Sequence, residues 1–74
     1  MPKLYSARVI LKALQRANFS IIGQKGSHIK LFRKEKDEIF TVIVPNHNEI
    51  AIGTFNSILK QAGMSRKELE NFIR

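Results

Sequence analysis

The chain has 74 residues, no cysteine, and 13 Lys and Arg against 6 Asp and Glu, for a formal net charge of +7. These figures exclude a disulfide-stapled scaffold and a thiolate metal site, and they bound residues 1–74 to one small domain with a modest core. The sequence pI of about 10.3 lies above the ~9 that marks nucleic-acid binders, so the expected partner is a polyanion. Nucleic acid ranks first, an acidic protein second and an anionic membrane last. No apolar run approaches the roughly 20 residues of a membrane helix, and no signal-peptide pattern opens the chain. A cytoplasmic protein with no membrane partner is therefore expected.

In chain order, the first helix runs from about Ser6 to Ala17. Ser6 can cap it, and Val9, Ile10, Ala13, Leu14 and Ala17 recur at helical spacing. Arg8, Lys12 and Arg16 recur every fourth residue as a solvated stripe. Phe19 to Ile22 reads as a short strand, and Gly23-Gln24-Lys25-Gly26 as a turn with glycine at both ends. His28 to Lys34 alternates, with Ile29 and Leu31 pointing one way and His28, Lys30 and Phe32 the other. Lys34 to Asp37 reads as a charged hairpin loop, and Ile39 to Val44 as a β-branched strand ended by Pro45.

Asn46 to Gly53 reads as a loop, and a second helix is predicted from about Thr54 to Ala62, with Gly63 as its C′ residue. Ser65 and Glu68 then spell a capping box, flanked by Met64 and Leu69 as a hydrophobic staple. The order α-β-β-β-α-α with short turns implies an antiparallel meander and a two-layer α+β fold, helices on one face of a three-stranded sheet. The other face is then open, with a histidine, a lysine and an aromatic ring on it, a set that suits RNA. The strand Ile39–Val44 is apolar on both sides, so its outer set is covered either by a partner or by the terminal helix.

Two segments together resemble the HicA toxin family, small ribonucleases of bacterial toxin–antitoxin pairs. One is Gly26-Ser27-His28 entering a strand. The other is Val44-Pro45-Asn46-His47, followed by Gly53-Thr54 and by Ile58-Leu59-Lys60-Gln61-Ala62-Gly63. The resemblance covers nearly the whole chain. The sequence departs from the family pattern at Asn18, where glycine is common, and in the loop Asn48–Ile52, which lacks the usual lysines. The resemblance implies a fold like the double-stranded-RNA-binding domain, metal-independent cleavage of mRNA, and a HicB-type antitoxin partner. A homodimer or a toxin–antitoxin hetero-oligomer is compatible with it.

RNA carries its own nucleophile, the 2′-OH, so a cleaving protein needs a base, an acid and charge at the phosphate. His28 matches the family's catalytic position and is expected to act as base, acid or both in turn. Lys25 and Lys30 flank it and either neutralise phosphate or are merely solvated. Gly26 either lets the backbone approach phosphate or is a plain turn residue, and Ser27 either bonds a phosphate oxygen or satisfies the turn. His47 also matches the family motif; it is either a second acid–base partner or, the favoured reading, a structural residue that hydrogen-bonds loop backbone. No metal or other cofactor is expected, because two histidines do not fill a tetrahedral site. The competing reading is a non-catalytic RNA-binding module of the double-stranded-RNA-binding type, which has no use for His28.

Overall fold

A computed structural model describes residues 4–73. The elements are α1 (Ala7–Arg16), β1 (Ser20–Lys25), β2 (His28–Glu35), β3 (Glu38–Pro45), α2 (Ile52–Ala62) and α3 (Arg66–Glu70). The strands form one open antiparallel sheet in the order β1-β2-β3, so the chain has the expected α+β architecture.

Local chemistry accounts for the helix ends. The Ser6 hydroxyl accepts from the Val9 N–H at 3.2 Å and starts α1. At the other end, the Phe19 N–H reaches the Leu14 carbonyl and the Asn18 N–H reaches that of Gln15. Asn18 sits at φ 76°, so it takes the left-handed position of a Schellman motif. α2 stops the same way, with Gly63 at φ 67°, its N–H on the Lys60 carbonyl and the Met64 N–H on that of Leu59. α3 has the full capping box: the Ser65 hydroxyl accepts from the Glu68 N–H, and the Glu68 carboxylate accepts from the Ser65 N–H.

The helices bury one face of β2 and β3. Ile29, Leu31, Val42 and Val44 from the sheet join Ile10, Leu14, Phe55, Ile58 and Leu69 in one core cluster. Residue 33 lies on that same face, and the chain places an arginine there. Arg33 is held between the rings of Phe19 and Phe40, its guanidinium carbon 5.1 and 5.3 Å from their centroids. It donates to the Ala17 carbonyl at the end of α1 at 3.3 Å, where the helix dipole favours a cation.

The element bounds depart from expectation at several points. β1 starts at Ser20 rather than Phe19 and continues through Gly23 to Lys25, so the turn shrinks to Gly26-Ser27. The register shifts between Ile21 and Gly23. A bulge there takes up Ile22, which lets the strand continue past the glycine. The second turn is likewise only two residues, Lys36-Asp37, with Lys34 and Glu35 in the strand. Finally, α2 begins at Ile52, two residues earlier than its apolar spacing suggests.

Candidate functional site

The site grows from one hairpin. Lys25 and His28 face each other across the Gly26-Ser27 turn. A two-residue turn needs a positive φ at its first centre, and Gly26 supplies it at 59°. Both turn carbonyls are occupied: the Gln24 amide donates to Gly26 at 3.0 Å, and the Asn46 N–H donates to Ser27 at 2.6 Å. The turn is thus fastened on one side by its own strand and on the other by the segment that follows β3.

His28 opens β2, and strand alternation sends its side chain to the face opposite the helices. Its neighbour Ile29 is buried, whereas His28 and Lys30 are exposed. Across the sheet His28 stands opposite Pro45, and Lys30 opposite Ile43. The open face therefore presents a row Lys25–His28–Pro45 and, beside it, Gly23–Lys30–Ile43. Lys25, His28, Lys30 and Ile43 line a hollow of about 600 Å³. All five residues singled out from the sequence, Lys25, Gly26, Ser27, His28 and Lys30, meet at this end of the sheet, and all are exposed.

Pro45 extends β3 by one residue rather than ending it. The Ile43 N–H leaves the sheet for the Gln61 amide oxygen at 2.9 Å, so alternation turns the nitrogen two residues on, that of Pro45, toward the same outer edge. A proline there forfeits no ladder bond. Through that hydrogen bond α2 closes part of the β3 edge, while α3 packs against α1 and α2. Ile39 is left 64% exposed on the open face.

Beyond Pro45 the chain makes a tight turn, with the His47 N–H on the Pro45 carbonyl at 2.9 Å. The His47 carbonyl accepts from the Ala7 N–H, and the Ile50 N–H donates to the Tyr5 carbonyl at 2.7 Å. Ile50, buried in the core, pins the loop; an isolated apolar residue in a polar stretch gives no periodic signal that could have marked it. A second groove of about 670 Å³ results, with His28 and His47 among its lining residues and Thr54, Ser57 and Gln61 of α2 along one side. The N-cap of α2, Ala51, makes no side-chain cap bond, and that end of the helix adds partial positive charge to the groove.

The His47 main chain holds the loop, but its imidazole makes no hydrogen bond to loop backbone among the described residues. Its side chain is exposed and lines the same groove as His28, a juxtaposition that sequence spacing does not give. Among the described residues, no carboxylate lines either hollow. The arrangement offers an anion two lysines, turn backbone and imidazole groups able to accept or donate a proton.

The family described as HicA toxin of bacterial toxin-antitoxin matches residues 7–64, from the start of α1 to the residue after the α2 cap. A search of curated proteins finds no match. The family match takes in the whole sheet, the Gly26-Ser27-His28 turn and the Pro45–His47 segment, and the chain belongs to the HicA toxin family of bacterial toxin–antitoxin systems.

Proposed function

We propose that the protein is a metal-independent endoribonuclease that cleaves mRNA, the toxin activity of its toxin–antitoxin pair, and that a HicB-type antitoxin neutralises it. The observation that carries the reading is the placement of His28. It stands exposed at the head of β2 with Lys25 opposite and Lys30 on the same face, and among the described residues no carboxylate lines the hollow they share. In this reading His28 moves the proton that activates the 2′-OH or frees the leaving oxygen. Lys25 and Lys30 neutralise phosphate charge, and Gly26 and Ser27 bring turn backbone and a hydroxyl to it. The RNA supplies the nucleophile, so the residues present suffice without a metal.

The experiment is induced expression of the wild type beside His28→Ala, with growth and total mRNA integrity followed over time. The expected result is arrest and mRNA loss with the wild type alone, at equal protein levels and an unchanged thermal midpoint. Equal arrest by both would remove His28 from the mechanism and favour RNA binding without cleavage.

A further inference from the structure

We propose that His47 is the second proton-transfer residue of this groove, so that cleavage uses a histidine pair rather than His28 alone. The inference rests on the ribonuclease reading given above.

The fold uses the backbone of residue 47, and its imidazole is not engaged by any described residue. The N–H is spent on Pro45 and the carbonyl on Ala7, each at 2.9 Å. Neither His47 nor His28 enters a side-chain hydrogen bond among the described residues. Both imidazoles are exposed, so both are open to a bound RNA and to proton exchange with it.

The fold also brings the two rings to one place from segments 19 residues apart in the chain. Pro45 lies directly opposite His28, which in an antiparallel pair puts their Cα atoms about 4.5–5.5 Å apart. The 2.6 Å bond from Asn46 N–H to the Ser27 carbonyl then ties the residue before His47 to the residue before His28. His28 enters the groove from the sheet and His47 from the loop. Among the described residues they are its only titratable lining groups; the rest are apolar, hydroxyl or amide.

The chemistry calls for two groups. In the transesterification, the 2′-oxygen bonds to phosphorus as the bond from phosphorus to O5′ breaks. A 2′,3′-cyclic phosphate and a 5′-hydroxyl result. In an in-line displacement the attacking and departing oxygens lie on opposite sides of phosphorus, beyond the reach of one imidazole in a single step. One histidine accepts the 2′-OH proton and the other, protonated, gives its proton to O5′. The two then re-equilibrate with solvent, and no other reactant is needed.

The test uses an RNA oligonucleotide with one mapped cleavage site and its twin in which the leaving 5′-oxygen is sulfur, which departs without a proton. Wild type, His28→Ala, His47→Ala and His47→Gln are compared on both. Each variant is expected to slow the oxygen substrate by about 10²–10⁴-fold. Sulfur is expected to restore the variants at one histidine position to near the wild-type rate and not those at the other. Full activity of the His47 variants on oxygen overturns the proposal, and so does loss that sulfur restores at neither position, which marks His47 as merely positional. A wild type that cleaves neither substrate brings down the ribonuclease reading itself, and the pair with it.

Discussion

Three of the four described residues with positive φ, Gly26, Gly63 and Asn18, show how one backbone requirement is met at different cost. Gly26 at 59° has no atom within 4 Å of where a Cβ would stand, whereas at Gly63 the same added atom would sit 2.7 Å from Phe40 Cε1. Gly26→Ala therefore costs only the left-handed strain, about 1–2 kcal/mol. Gly63→Ala adds an overpacking term of about 1–3 kcal/mol, and is expected to lose about 2–5 kcal/mol in all. Urea unfolding of the two variants side by side checks the ranking. Asn18 fills the third position without a glycine, because its short polar side chain tolerates the left-handed region. The departure from the family pattern at that position leaves the helix end intact.

At the scale of elements, α3 is the piece that depends most on its cap. A five-residue helix cannot sustain itself by its own hydrogen bonds. It is held by Leu69 in the core and by the reciprocal bonds of Ser65 and Glu68. Ser65→Ala is expected to cost about 1 kcal/mol and to raise amide exchange in residues 66–70 before the sheet is affected, a pattern that hydrogen exchange resolves. α2 acts differently, since it packs on β3 and through Gln61 closes part of its edge. An exposed edge invites further strand pairing, so the same helix that lines the groove also protects the sheet.

For the molecule as a whole, charge sets the response to pH and salt. The Tyr5 hydroxyl donates to Glu70 at 2.6 Å and the Arg66 guanidinium lies 3.1 Å from the same oxygen. The Tyr5 bond first, and Arg66 next, hold the Glu70 carboxyl below its ordinary value of 4.5. The Ser65 backbone and hydroxyl do the same for Glu68. Carboxyls with folded values below their unfolded ones contribute stability that is complete above pH 4.5 and lost as pH falls through the folded values. The Tyr5 hydroxyl is pushed above 10.0 by the same bond to Glu70, so its contribution is present below that pH and lost above it. Thermal midpoints should thus fall on acidification below about pH 4.5, and Glu70→Gln should flatten that limb. In RNA binding, Lys25→Gln and Lys30→Gln should each reduce the slope of log affinity against log salt by about 0.7, measured by titration at several salt concentrations with the His28→Ala protein.

The sequence by itself determined the features that depend on near neighbours. Ser6 and Ser65 capped their helices, Gly63 ended α2, and Ile29 and Leu31 faced inward while His28 and Lys30 faced out. Caps are set within three or four residues and strand faces by a period of two, so both are written locally. The tertiary structure decided the rest. Strand β1 ran past Gly23 because a bulge absorbed Ile22. Arg33 entered the helix-covered face because Phe19, Phe40 and the Ala17 carbonyl converge on it. His47 came to the groove of His28 because the Asn46 N–H meets the Ser27 carbonyl and Pro45 pairs with His28. Those contacts join residues that chain spacing keeps apart, and only strand pairing and helix packing bring them within reach.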